Sequence, residues 1–245
     1  MSPYIFRLTL GQIVGQRRTI LILLFAAIPI LLAVIFRIAS TARNDPLEFY
    51  AAIFETLIIG LTLPLTALVF GTAALGQDIE DGTATYLLSK PVPRWQIVVE
   101  KTAAAWVITT IMLVASVSAT GIVLLADEDG QRTIVAFTLA AALGALAYGA
   151  LFVCLSVFFN RALIIGLVYV FIWEALVTLA VDNAQYVSVR GFILGIADPL
   201  SNVPAYWLKA SLGPVESFAL MAAVTGVSVV FASRRLSSFQ VGDQT

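Results

Sequence analysis

Residues 133–159 read TIVAFTLAAALGALAYGALFVCLSVFF, a stretch with no Asp, Glu, Lys or Arg. A helix needs about 20 mostly apolar residues to cross the roughly 30 Å hydrocarbon core of a bilayer. This stretch is long enough. Runs of the same kind occur near Thr19–Phe36, Ala52–Leu75, Thr102–Ala126, Ala162–Val181 and Ser217–Ala232, so the expected count is six spans. The count becomes five or seven if Phe192–Leu212 inserts partway.

The composition agrees with that reading. Of 245 residues 60% are hydrophobic and 12% charged, where a soluble domain carries about a quarter charged residues. The expected fold is all-α: a polytopic membrane protein forming a single transmembrane domain over residues 1–245. The net charge of −1 gives no basic field for nucleic acid. The chain has no histidine and one cysteine, Cys154. That removes the commonest metal ligand and catalytic base, and leaves no Cys-based metal site or disulfide framework. Cys154, inside an apolar run, reads as a small buried hydrophobe. No metal site, no catalytic residue and no nucleic-acid partner is expected. A membrane-embedded hydrolase or transferase is disfavoured for the same reasons. Thr19–Phe36 is too long for the apolar core of a signal peptide and no A-x-A-like site follows it, so it is expected to remain as the first span.

Orientation follows from the cations. With both termini in the cytoplasm, Arg7, Arg17, Arg18, Lys90, Arg94, Lys101, Arg161, Arg234 and Arg235 fall inside. Arg37, Arg43, Arg132, Arg190 and Lys209 fall outside, beside the acidic Asp127-Glu128-Asp129. The expected location is the cytoplasmic membrane, with lipid as solvent. Residues 1–18 carry Phe6, Leu10, Ile13 and Val14 at helical spacing and read as an amphipathic helix in the inner headgroup layer. The outer segment 182–216 is semi-apolar and broken by Gly191, Gly195, Pro199, Pro204, Gly213 and Pro214. Re-entrant or interfacial helices are expected there, with backbone sheltered by protein or water.

Residues 77–101, QDIEDGTATYLLSKPVPRWQIVVEK, form a cytoplasmic connection far longer than a mere link requires. Asp78, Glu80 and Asp81 lead into a Gly82-Thr83 turn. Ala84, Leu87, Leu88 and Pro91 then fall at i, i+3, i+4 and i+7, one apolar stripe on a short helix that Pro91 and Pro93 end. Such a helix either lies against the membrane or its own bundle, or docks into a groove on a soluble partner. Its acidic lead-in disfavours the membrane surface, because anionic headgroups attract basic segments.

The pattern Glu80-Asp81-Gly82-Thr83, Leu87-Leu88-Ser89, Pro91-Val92, Arg94 and Lys101 resembles the first cytoplasmic loop of ABC type-2 transporter permeases, the six-span membrane subunits of ABC exporters. The motif covers about 25 residues and the layout nearly the whole chain. The resemblance implies a half-transporter that pairs with a second copy or a homologous permease and docks a separate cytoplasmic ATP-binding subunit. On that reading Asp78, Glu80, Asp81, Gly82, Thr83, Tyr86, Leu87, Leu88, Pro91 and Arg94 couple to the ATPase. No G-x-x-x-x-G-K-[ST] stretch occurs, so no ATP-binding loop is expected in this chain, and ATP and magnesium belong to the partner. The competing function is an ion-coupled carrier or channel with no ATPase.

Glu174, well inside the fifth run, is the conspicuous intramembrane charge. A carboxylate at a helix centre costs about 2.5–3.5 kcal/mol on insertion scales, so it should face a cavity or a partner. It lines the translocation pathway, steadies a dimer seam, or is a neutral, hydrogen-bonded buried acid. Glu55 is expected at the outer headgroup level. The small residues Gly144, Ala145, Ala147, Gly149 and Ala150 read as packing within the bundle. Pro29 and Pro64 are expected to kink spans one and two. No residue selects the cargo.

Overall fold

A computed structural model describes residues 17–39, 45–80, 93–125, 130–177, 184–208 and 210–237. Every regular element among them is helical. The helices are α1 (Arg17–Ala39), α2 (Pro46–Ile53), α3 (Leu63–Glu80), α4 (Arg94–Leu124), α5 (Gln131–Phe158), α6 (Ala162–Val168), α7 (Val189–Leu200), α8 (Ala205–Leu208) and α9 (Pro214–Ser237). Two wide, π-type stretches interrupt the pattern. Phe54–Thr62 joins α2 to α3, and Tyr169–Val177 continues α6. The expected amphipathic helix lies outside the described residues, and α1 already begins at Arg17.

Five helical stretches are long and apolar enough to cross a membrane: Ile22–Ala39, Pro46–Gly76, Arg94–Leu124, Gln131–Phe158 and Pro214–Ser237. The chain is an all-α polytopic membrane protein. The fifth run of the sequence differs from the expected uninterrupted span. Its helix is α6 with its π continuation, sixteen residues from Ala162 to Val177, and its apolar part ends at Glu174.

Helix α5 is the centre of the bundle, packing on α3, α4, α7 and α9. Its small residues make this possible. A Cβ at Gly71 of α3 would sit 2.9 Å from Phe152 Cβ and 3.3 Å from the Gly149 carbonyl, so the two backbones nearly touch. Gly144, Ala145, Ala147, Gly149 and Ala150 are all buried, as packing within the bundle requires. Buried polar side chains tie helix to helix. Tyr50 donates to the Val117 carbonyl (3.0 Å), Trp106 to Ala142 (2.9 Å) and Ser116 to Ala26 (2.7 Å). Without water, an unmet donor costs several kcal/mol, so each tie also fixes register. Phe54 stacks on Phe137 with centroids 3.8 Å apart.

At Pro64 the missing N–H removes a rung of the helical ladder. Just before it the Leu63 N–H reaches the Ile58 carbonyl, five residues back. The π stretch widens the turn instead of breaking it, an established response within a helix.

The ends of the bundle follow from its contacts. Ile22, Leu75, Ile97, Val157 and Leu236 share one apolar cluster, and Arg235 lies over the Phe158 ring. That end, which carries Arg17, Arg94, Arg161, Arg234 and Arg235, is called the terminal end. At the opposite, distal end, Arg37 reaches the Leu124 carbonyl and Arg132 reaches the Leu200 carbonyl. The outward faces of α1 and α9 are apolar, with Leu24, Ile35, Phe218 and Phe231 exposed, as a lipid-facing surface should be. Cys154 is half-buried beside the terminal-end cluster.

Candidate functional site

The expected coupling residues divide at the edge of the described structure. Asp78 and Glu80 lie on the last turn of α3, and Arg94 opens α4. Asp81, Gly82, Thr83, Tyr86, Leu87, Leu88 and Pro91 lie outside the described residues. The connection is shorter than 77–101, because α4 starts at Arg94. Lys101 is wholly buried within α4, next to the buried Glu100, whose Oε1 accepts from Gln96 at 3.1 Å. Its position in the sequence suggested a loop-end cation. The helical phase that turns it inward was legible only once the helix start was known.

Glu174 is far from that segment, on the π stretch after α6 and 2% exposed. Its Oε1 accepts from the Tyr169 hydroxyl (2.9 Å) and from the Val189 N–H (3.2 Å), and the Ser188 hydroxyl donates to Oε2. Ser188 is the N-cap of α7, and its Oγ accepts from the Gly191 N–H at 3.4 Å. The carboxyl group therefore sits on the first turn of α7, where unpaired N–H groups and the helix dipole favour negative charge. Next in the chain, Arg190 donates to Glu55 Oε1 at 3.1 Å, both side chains about one-fifth exposed (17% and 22%). Each π stretch thus supplies one glutamate, and both engage the first residues of α7.

This cluster is deep. The Tyr169 ring meets Phe152 edge-on at 6.3 Å, and Phe152 stacks on Tyr148, mid-way along α5. Ile193 packs against Gly144, and Leu200 reaches Arg132 at the distal end of α5. From Ser188 to Leu200 the rise is about 18 Å, and from Ala162 up to Glu174 also about 18 Å. Both paths put Glu174 near the middle of a hydrocarbon core about 30 Å thick. Helix α7 cannot cross by itself. It rises from mid-depth to the distal surface, with Val189 and Gly191 to Ala197 buried.

Glu174 was visible in the sequence as an intramembrane acid. Its partners were not, since Tyr169 and Ser188 look like ordinary residues of an apolar run and a loop. Ser188 three residues before Gly191, ahead of an apolar stretch, was the available cap signal. The Glu55–Arg190 pair joins residues 135 apart in sequence. Only the fold brings them together.

The sequence profile of the ABC-2 family transporter proteins matches residues 10–239. The chain belongs to that family. Among curated proteins no match is found. Members of the ABC-2 family are membrane transport subunits and not the catalytic ones, working in general with an ATP-binding subunit. The match runs through the 77–101 connection and all five long apolar helices, so the family's transport role belongs to the whole bundle. The described residues hold no cluster of three or more His, Cys, Asp or Glu suited to a metal ion.

Proposed function

We propose that this ABC-2 family chain is the permease subunit of an ATP-driven exporter in the cytoplasmic membrane, with both termini inside. Two copies, or this chain and a homologous permease, enclose the pathway. ATP and magnesium bind a separate cytoplasmic subunit. The connection over residues 77–101 docks there, with Asp78, Glu80, Asp81 and Arg94 at its charged ends, Ala84, Leu87, Leu88 and Pro91 as its apolar stripe, and Gly82, Thr83 and Tyr86 beside them.

The observation that supports this most is the placement of that connection. Helix α3 ends and α4 begins at the terminal end, on the side with Arg17, Arg161, Arg234 and Arg235. That charge bias marks the cytoplasmic face, where an ATP-binding partner must meet the chain.

Co-purification tests the reading. A soluble ATPase should travel with the unaltered chain, and Asp81→Lys with Leu87→Asp should release it while the membrane bundle stays helical. A folded chain that moves ions across vesicles and never retains an ATPase would support the ion-coupled carrier or channel instead. Glu174, in this reading, acts on the pathway through α7, whose first turn it holds.

A further inference from the structure

The distal half of the bundle contains one element unlike the others. Helix α7 is short, begins near mid-depth and, Arg190 apart, is buried from Val189 to Ala197. Its long sides rest on smooth seats. Ile193 lies over Gly144 of α5. A Cβ on Gly195 would sit 2.8 Å from the Leu212 carbonyl, 2.1 Å from Ser217 Oγ and 3.2 Å from Ser217 Cβ. Contacts onto glycine backbone have little side-chain interlock, so they permit sliding or lifting as a rigid rod. Phe192, Ile193, Leu194 and Ile196 seat the rod in the apolar core, and its charged contacts are concentrated at one end: Glu174 on Ser188 and the Val189 N–H, and Glu55 on Arg190. At the other end two neutral-acceptor bonds tie the chain to α5: Arg132 donates to the Leu200 carbonyl at 3.0 Å and the Asn202 N–H donates to Thr133 Oγ1 at 3.3 Å.

We propose that Glu174 and the Glu55–Arg190 pair act as a two-point clasp seating α7 in the distal half of the bundle, and that unseating α7 opens that side during transport. The opening step rests on the permease reading above; the clasp itself does not. Both glutamates come from π stretches, whose looser hydrogen-bond ladders let a turn shift without breaking the helix. The clasp also has a built-in threshold. While α7 is seated the partly buried ion pair is stronger than it would be in water, because attraction between charges scales inversely with the local dielectric. Once water enters beside a lifted α7 the same pair weakens, and the open form stops paying the cost of an unpaired buried charge. Both states are thereby self-consistent, as a gate requires. Glu174 and Glu55 are positioning residues in this scheme; neither needs to touch cargo.

Thiol labelling tests the clasp without any assay of transport. In a Cys154→Ser background, which removes the one native cysteine, Leu194→Cys places a thiol on the buried part of α7. The protein in lipid vesicles is treated with a membrane-impermeant maleimide. Arg190→Gln or Glu174→Ala should raise the labelling rate about tenfold, since local opening tracks the interactions that hold the segment shut. Exchange of the pair, Glu55→Arg with Arg190→Glu, should return the rate towards the starting value. Glu174→Gln, whose one amide oxygen in the Oε1 position still accepts from Tyr169 and Val189 but not from Ser188, should fall between. Unchanged labelling in both single variants, with the protein monodisperse and helical, overturns the clasp, as does a charge exchange that labels as fast as Arg190→Gln.

The gate is tested in the complex with its ATPase. ATP should speed labelling of Leu194→Cys, and a Gly195→Cys/Ser217→Cys disulfide joining α7 to α9 should abolish that increase until it is reduced. Clasp variants that label fast while ATP changes nothing in the unaltered clasp would overturn the gate and leave the permease reading intact. Failure of the permease reading would appear separately, as absence of the ATPase from the purified protein.

Discussion

A single carboxyl group makes the clearest case for residue-level prediction. Glu174 accepts hydrogen bonds from the Tyr169 and Ser188 hydroxyls and from the Val189 N–H, in a place with almost no access to solvent. Glu174→Ala strands all three donors. A buried unmet donor costs about 1–3 kcal/mol, so the variant should lose about 3 kcal/mol or more, seen as a clear drop in the thermal midpoint of the detergent-solubilised chain. Glu174→Gln keeps acceptors for two donors and should lose about half as much. An alanine variant as stable as the parent would remove Glu174 from any structural role. Of the three readings the sequence allowed, the carboxyl's contacts within one chain fit a hydrogen-bonded buried acid.

Among elements, the packing of α7 depends on two seats that can be told apart from neutral glycines. Gly195→Ala puts a methyl 2.8 Å from the Leu212 carbonyl and against Ser217, with backbone that cannot yield cheaply. Overpacking of that kind costs about 1–3 kcal/mol. Gly149→Ala and Gly226→Ala meet nothing within 4 Å, and should leave stability level or slightly raised because alanine is the better helix former. Thermal unfolding of the three variants side by side is the measurement; equal losses at all three would mean that α7 does not sit as described. At Gly144 the obstructing atoms are the flexible end of Ile193, so Gly144→Ala should cost less than Gly195→Ala. The helices themselves were legible in sequence because a long uncharged apolar run has one solution in lipid. The π stretches were not, since the one before Pro64 replaces a lost rung of the ladder and the one at Tyr169–Val177 carries no mark in the sequence.

For the whole molecule, the expected orientation can be read by site. Asn160→Cys, exposed between α5 and α6, should react with impermeant reagents only from the cytoplasmic side. Asn202→Cys, exposed beyond α7, should react only from outside. Reversal of the two would overturn the orientation drawn from the arginines and, with it, the docking side proposed for residues 77–101. The two sites bracket the bundle, so their labelling also reports whether α6 and α7 together carry the chain from one face to the other.

Composition and apolar runs alone determined that this chain lives in a bilayer as a helical bundle, because lipid leaves the backbone no alternative to internal hydrogen bonding. The motif at 80–101 and the layout around it were also sufficient to point to the ABC-2 family, which the profile over residues 10–239 establishes. Tertiary structure alone decided what the described part of the run at Ala162 becomes: a helix that widens into a π stretch and hands its glutamate to the first turn of α7. The physical reason is that polar partners at membrane depth are chosen by proximity in the fold. Glu55 and Arg190, or Glu174 and Ser188, carry no mark in sequence that they will meet, and only packing around Gly144 and Gly195 brings them within reach.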